Sequence, residues 1–146
     1  MSDPIVIVSA ARTPIGGMLG DFANVSAAEL GAVAIKAAVE RAGVKGEDVG
    51  EVFFGNCLMA GQGQAPARQA TLGAGLPQSA GAVTLSKMCG SGLKTVMLAH
   101  DLLQVGTHDR VVAVGRDLRG VAALQNRLVE AQHSMERDYW RFRQVE

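Results

Sequence analysis

The feature that most constrains the fold of this chain is the alternation of short apolar runs with segments that carry helix signals. Continuous β-branched runs are typical of strands that are buried on both faces of a sheet. Strands that alternate with helices indicate an α/β fold, with a mostly parallel or mixed sheet and helices on its faces. Four runs fit such strands, namely residues 5–8, 52–54, 82–85 and 110–114.

Three helices are predicted between these strands from the signals at their ends. Ser26 and Glu29 have the spacing of a capping box at the start of the first helix, and Gly43 is placed to end it. Pro66 can open the second helix, because proline is tolerated in a first turn. The third helix follows the Gly-Ser-Gly turn at residues 90–92.

The last part of the chain has a different character, since neither Gly nor Pro occurs after Gly120. Apolar residues recur there every three or four positions, which predicts one long amphipathic helix. Such a helix could dock on the sheet or on a partner, or it could be a sequence fused to the domain. We therefore divide the chain into a domain over residues 1–115 and a divergent helical tail over residues 116–146. The apolar positions of the tail are Leu118, Val121, Leu124, Leu128, Ala131, Met135 and Tyr139.

Chain length and net charge limit the classes of partner that the chain could bind. The 146 residues are enough for one compact core, and the formal net charge of zero gives no basis for binding nucleic acid or an anionic membrane. No run approaches the roughly 20 apolar residues that cross a bilayer, and the N-terminus lacks the pattern of a signal peptide. We therefore expect a cytoplasmic protein whose two cysteines, Cys57 and Cys89, are free thiols.

The strongest local signal surrounds Cys89, which lies between a predicted strand and the first turn of a predicted helix. Unpaired N–H groups and the helix dipole favour a thiolate there, and they can stabilise an oxyanion on an attacked acyl carbon. From these residues alone, Cys89 is either a nucleophile or a small buried residue at a strand–helix junction. The residues expected to support the turn and the oxyanion are Met88, Gly90, Ser91 and Gly92.

Several segments in order resemble the N-terminal half of thiolases, the acetyl-CoA C-acetyltransferase family. The resemblance covers roughly residues 4–115 and implies a five-layered thiolase fold, of which this chain could build one half. The segments that carry it are Val8–Gly16, Phe54–Asn56, Ala60–Gln64, Pro66–Ala70 and Lys87–Lys94.

The resemblance also implies a chemistry, which is reversible Claisen condensation or thiolysis of an acyl-CoA by a ping-pong route. Cys89 would take the acyl group as a thioester, and coenzyme A would serve as the substrate carrier. No covalently bound cofactor and no metal are implied. A homodimer or larger homo-oligomer is expected, because thiolases pair through this half.

The sequence also departs from the family pattern. Ala65 stands where thiolases commonly have Asn, and after Ala113 the usual Gly-Gly-Met-Glu-Ser-Met-Ser loop is replaced by residues 114–119. The family's activating histidine and second cysteine belong to a second half that has no counterpart in these residues. None of the histidines is expected to replace them, and surface or half-buried positions are predicted for His100, His108, His133 and the Cys57 thiol.

Three functions are therefore open at the level of sequence. The chain could be a thiolase-type acyltransferase that is incomplete in isolation. It could be a catalytically inactive, truncated thiolase-like interaction module. It could also be a thiol acceptor that is acylated at Cys89 without completing condensation. For the isolated chain we expect very low turnover of acetoacetyl-CoA with coenzyme A.

Overall fold

The computed structural model describes residues 5–17, 20–118 and 124–127, and it forms a four-stranded sheet with three α-helices. A one-turn 3-10 helix at Gly46–Asp48 precedes the first strand. In chain order the elements are α1 (Ala27–Ala42), β1 (Glu51–Asn56), α2 (Pro66–Gly73), β2 (Gly81–Leu85), α3 (Ser91–Val105), β3 (Val111–Leu118) and β4 (Leu124–Arg127).

The sheet has the strand order β2-β1-β3-β4, with β1 paired in parallel to both β2 and β3. Phe54 of β1 lies opposite Thr84 of β2 and Val114 of β3. β4 then adds to β3 in the antiparallel sense, so that the sheet is mixed. The predicted α/β class, with a mostly parallel or mixed sheet, is confirmed.

Helices cover both faces of this sheet. α1 and α2 pack against each other, and a side chain added to Gly31 of α1 would collide with the ring of Phe54. The next residue, Gly55, contacts the start of α3 instead. Because successive residues of a strand point to opposite faces, α1 lies on one face and α3 on the other.

The hydrophobic core lies between the sheet and the α1–α2 pair. Its largest fully buried apolar side chains are Phe54, Ile35, Val52 and Val114, which come from α1 and from the two central strands. Truncation of a buried aromatic side chain such as Phe54 typically costs about 3–5 kcal/mol. This core therefore fixes the two strands whose carboxyl ends approach the start of α3.

Both ends of α1 and the start of α2 lie where the sequence predicts them. Ser26 and Glu29 form the capping box, in which the Ser26 Oγ accepts from the Glu29 N–H at 3.2 Å and the Ser26 N–H donates to Glu29 Oε2 at 2.7 Å. Gly43 ends α1 with a left-handed φ of 65°, and Pro66 lies in the first turn of α2. These signals are local, which is why they can be predicted from a short window.

The predicted strand at residues 5–8 is wrong. Residues 5–17 contain no strand, and Val6, Ile7 and Val8 are exposed. A strand needs a neighbour that satisfies its backbone groups, and no strand in the described residues pairs with this run. The segment is joined to α1 by a hydrogen bond from Arg41 Nη1 to the carbonyl oxygen of Ala10 at 2.9 Å.

The predicted amphipathic helix is wrong at both places where the tail is described. Residues 116–118 continue β3, and Leu124–Arg127 forms β4, with Leu118 opposite Leu124. Pairing with the free edge of β3 satisfies the backbone of β4, and this long-range interaction overrides the helical spacing of the apolar residues. The rest of the predicted helix lies outside the described residues. The division at residues 115 and 116 stays a prediction, although β3 runs across it.

Candidate active site

The candidate nucleophile lies in the short connection between β2 and α3. β2 ends at Leu85, and α3 begins at Ser91 with Gly90 as its N-cap. Cys89 directly precedes that cap and is exposed to solvent. The structure therefore rejects the interpretation of Cys89 as a small buried residue, and it leaves the thiol accessible to a substrate at the start of a helix.

Ser91 fixes the backbone of this connection through hydrogen bonds, and its side chain is almost completely buried. Its Oγ accepts a hydrogen bond from the Lys87 N–H at 2.9 Å and donates one to the Met88 carbonyl at 2.7 Å. Two backbone bonds complete the turn, from Gly90 N to the Lys87 oxygen at 2.9 Å and from Ser91 N to the Met88 oxygen at 3.1 Å. Four hydrogen bonds thus fix the backbone on both sides of Cys89.

Met88, which precedes the thiol, adopts a left-handed conformation with a φ of 47°. For a residue with a side chain this region typically costs about 1–2 kcal/mol, and such strain persists only where the surrounding structure imposes it. The side chain of Met88 is 67% exposed and gains little from packing. The strained residue beside Cys89 is a feature that the sequence pattern does not reveal.

Two strand glycines bring the start of α3 against the sheet. A Cβ added to Gly55 would lie 2.7 Å from the carbonyl carbon and oxygen of Ser91, and a Cβ added to Gly92 would lie 2.9 Å from the Cα of Gly115. Gly55 and Gly115 are opposite each other in the β1–β3 register. The missing side chains let the first turn of α3 rest directly on both strands. A glycine inside a strand pattern signals such close approach, but its partner cannot be identified from sequence.

No negatively charged side chain of its own first turn neutralises the N-terminus of α3. No side chain caps it, and its first turn contains no acidic residue. The N–H groups of Gly90 and Ser91 donate within the turn, so these two residues support its shape. Other first-turn amides of a helix, such as that of Gly92, have no intrahelical acceptor and point towards the helix start. Partial positive charge therefore accumulates near Cys89.

A polar network orders the loop that follows β1. Asn56 is fully buried, and its Nδ2 donates to Gln62 Oε1 at 2.6 Å. Gln69 Nε2 donates to the backbone oxygens of Gln62 and Gln64 at 2.9 and 2.7 Å. Cys57, next to Asn56, is half-buried as predicted. The loop therefore has a defined shape at the carboxyl ends of the strands, where Cys89 also lies.

The described histidines do not belong to this arrangement. His108 Nε2 lies 3.7 Å from Glu51 Oε2 at the amino end of β1, whereas Cys89 follows the carboxyl end of the parallel strand β2. His100 is exposed and lies nine residues into α3 beyond Ser91, about 14 Å along the helix axis. Both positions fit the predicted surface or half-buried placement, and His133 lies outside the described residues.

Within the part of the chain that the structure describes, no group of three or more His, Cys, Asp or Glu side chains could hold a metal ion. None of the helices found there is both long enough and apolar enough to cross a membrane.

Comparison with known proteins shows the family to which this chain belongs. The family described as "Thiolase, N-terminal domain" matches residues 5–141. The chain is 58% identical over 114 residues to "Acetyl-CoA acetyltransferase ERG10, cytosolic" from Gibberella zeae, covering 78% of this chain and 29% of the relative. It is 56% identical over 111 residues to "Acetyl-CoA acetyltransferase, mitochondrial" from Xenopus tropicalis, covering 76% of this chain and 26% of the relative.

A solved structure supports the same assignment. The chain is similar to the Acat5 thiolase from Ascaris suum, solved in complex with coenzyme A, with a TM-score of 0.76 and 34% sequence identity. The similarity covers 88% of this chain and 34% of the Ascaris chain. The chain therefore spans between about a quarter and a third of the length of the proteins it matches.

Proposed function

The chain belongs to the thiolase N-terminal domain family, and from that premise we propose that it carries the acyl-accepting half of a thiolase-type acyltransferase, with Cys89 as the nucleophile. The observation that carries the proposal is the exposed Cys89 thiol at the uncapped start of α3, on a turn that the buried Ser91 holds closed. Both the family and the local geometry support acyl transfer to this one residue.

The acyl-transfer step follows from the placement of the thiol. The Cys89 thiol releases its proton to solvent or to a base, and its sulfur attacks the carbonyl carbon of an acyl-CoA thioester. Oxygen carries negative charge in the tetrahedral intermediate, which first-turn amides of α3, such as that of Gly92, can stabilise. The bond to the sulfur of coenzyme A then breaks, coenzyme A leaves as a thiol after taking up a proton, and a thioester remains on Cys89.

Coenzyme A serves as the substrate carrier in this proposal, and no cofactor is bound covalently. The relatives are named acetyl-CoA acetyltransferases, and the Ascaris thiolase was solved with coenzyme A. These names support an acyl-CoA substrate for this chain. Met88, Gly90, Ser91 and Gly92 support the turn and the oxyanion around Cys89.

Full condensation requires more than acyl transfer, because a second group must remove a proton from the second substrate. The chain spans 26–29% of the length of the curated relatives. We therefore assign to these residues the acylation of Cys89 and expect little or no condensation from them alone. The same coverage favours a second candidate function, that of a catalytically inactive thiolase-like interaction module.

Mass spectrometry of the intact protein separates the two functions. After incubation with acetyl-CoA, the first function predicts a mass increase of one acetyl group, which is absent in Cys89→Ala and retained in Cys57→Ala. Peptide mapping should place the acetyl group on Cys89. The absence of any adduct in correctly folded protein would favour the inactive module, and modification of Cys57 alone would contradict Cys89 as the nucleophile.

Three further properties are also proposals, namely the oligomeric state, the lack of binding to nucleic acid or membranes, and the cellular location. We propose that the chain forms a homodimer or larger homo-oligomer and that it does not bind nucleic acid or membranes. A cytoplasmic location also stays a prediction, because one relative is named cytosolic and others are named mitochondrial.

A further inference from the structure

The strand that leads to Cys89 is held weakly by its own side chains. None of the five residues of β2 is fully buried, and Val83 in its centre is 42% exposed. Among the strands that the structure describes, β2 pairs only with β1. Burial of apolar side chains is the main force that fixes an element against a core. The position of β2 therefore depends on polar contacts that other elements make with it.

The start of α2 makes one of these contacts with the hydroxyl group of Thr84. The Ala67 N–H donates to Thr84 Oγ1 at 2.9 Å, across 17 positions of the sequence. First-turn N–H groups of a helix have no acceptor within the helix, and the side chain of the N-cap residue often supplies one. The N-cap of α2 is Ala65, whose methyl side chain cannot accept a hydrogen bond. Thr84 of β2 therefore provides the cap that the N-cap residue of α2 does not.

Arg68, the next residue of α2, binds the turn that leads into β2. Its Nη1 donates to the Ala80 carbonyl oxygen at 2.6 Å, and its Nη2 donates to the Gln78 carbonyl oxygen at 2.7 Å. Hydrogen bonds from a charged donor are stronger than those between neutral groups. The first turn of α2 thus holds β2 at two places, at the turn before the strand and at Thr84 near its end.

The start of α3 is fixed separately from β2. Its first turn rests on β1 and β3, where Gly55 and Gly115 permit close approach. Cys89 lies between the two anchored parts, five residues after Thr84 and directly before the cap of α3. The segment includes Met88 in a strained left-handed conformation, so it has little freedom to absorb a shift of β2. A displaced β2 would therefore move the Cys89 sulfur relative to the first-turn amides of α3.

We propose that Thr84 is a positioning residue for acyl transfer to Cys89. By accepting from the Ala67 N–H, it fixes β2 against α2 and so sets where the thiol lies relative to the amides that stabilise the oxyanion. An error of about 1 Å in such a geometry can cost about a hundredfold in rate. The inference rests on the proposed function of Cys89, and it adds a residue that lies outside the turn around the thiol.

Two reactions of the Cys89 thiol separate its positioning from its accessibility. Acetyl transfer from acetyl-CoA passes through an oxyanion, so it depends on the first-turn amides of α3. Alkylation by iodoacetamide is a direct displacement, in which the sulfur bonds to the methylene carbon and iodide leaves, and no oxyanion forms. Both rates are measured by intact mass in a Cys57→Ala background, in which Cys89 is the only thiol.

Thr84→Val keeps the branched shape of the side chain and removes the acceptor of the Ala67 N–H. It should slow acetylation by about tenfold or more and change alkylation by less than about twofold. Thr84→Ser keeps the hydroxyl group and should restore acetylation to within about twofold of the wild type. Thr107→Val is the matched control, because Thr107 is exposed in the connection after α3 and should leave both rates unchanged.

Arg68→Lys tests the second contact, since an ammonium group lacks the planar fork that binds both carbonyl oxygens. It should also slow acetylation selectively, and it decides the test if circular dichroism shows that Thr84→Val is unfolded. Wild-type acetylation rates in the folded variants, equal slowing of both reactions, or a Thr84→Ser variant that is not restored would overturn the inference alone. A wild-type chain that is not acetylated at all would refute the proposed function and the inference with it.

Discussion

Gly92 in the first turn of α3 and Gly115 in β3 meet backbone to backbone, since a Cβ on Gly92 would lie 2.9 Å from the Cα of Gly115. Gly92 is three residues after Cys89, so this contact sets how deeply the start of the helix sits on the sheet. On the other strand, Gly55 allows the same approach to Ser91. The position of the candidate nucleophile is thus determined by three residues that have no side chain.

Gly92→Ala should destabilise the protein and slow acylation of Cys89. Alanine is the better helix former by about 1 kcal/mol, but overpacking against rigid backbone typically costs about 1–3 kcal/mol. We expect a net loss of about 1 kcal/mol in the free energy of unfolding, measured by urea denaturation. Gly17→Ala is the control, because nothing lies within 4 Å of a Cβ at Gly17. Equal stability of the Gly92→Ala variant and the wild type would contradict the close contact.

Ser91→Ala should loosen the turn that holds Cys89. The substitution leaves the Lys87 N–H without its acceptor and removes one of the bonds to the Met88 carbonyl. Loss of a partner for a buried polar group costs about 1–3 kcal/mol, so the variant should unfold at lower urea concentration. Acetyl transfer from acetyl-CoA to Cys89 should slow as well. The exposed Ser79→Ala serves as the control and should change neither quantity.

The sequence predicts the helices well because their end signals are local. The capping box at Ser26 and the left-handed Gly43 depend only on residues within one or two turns. The β4 strand and the unpaired run at residues 5–8 depend instead on which strand edges are available, and this is decided by residues far away in sequence. Apolar spacing could not reveal either outcome.

The candidate site likewise combines features that the sequence predicts with features that depend on tertiary packing. Cys89, the turn glycines and Ser91 are recognisable from their order along the chain. The contacts of Gly55 and Gly115 with α3 join residues that are more than 20 positions apart. The left-handed φ of Met88 results from closing the turn around Ser91 and has no signature in a methionine residue. Tertiary packing therefore supplies what the motif lacks.

Substitutions at Met88 should reveal the strain beside Cys89. Asparagine tolerates the left-handed region better than most residues, whereas β-branched residues tolerate it least. Met88→Asn should raise the free energy of unfolding by about 0.5 kcal/mol, and Met88→Val should lower it by about 1 kcal/mol. Thermal unfolding of both variants provides the measurement. Because the side chain is exposed, lost packing should contribute little, and the opposite order of stability would rule out strain at this position.

The contribution of the α1 capping box to the stability of the protein should depend on pH. Hydrogen bonds with Ser26, first through its side chain and then through its backbone N–H, lower the pKa of the Glu29 carboxyl from its ordinary value of 4.5. A carboxyl whose pKa is lower in the folded state stabilises the protein above pH 4.5, and that contribution is lost as the pH falls through the folded value. Ser26→Ala removes the side-chain hydrogen bond that is the larger of the two causes, and it also removes the acceptor of the Glu29 backbone N–H.

The difference in stability between the wild type and Ser26→Ala should therefore be larger at pH 7 than below pH 4.5. Urea denaturation across this range measures it, since the midpoints of the two proteins should converge as Glu29 takes up a proton. In a Glu29→Gln background the carboxylate is absent, so the effect of Ser26→Ala should stay nearly constant with pH. Parallel pH profiles of the wild type and Ser26→Ala would show that the serine caps α1 without any coupling to the ionisation of Glu29.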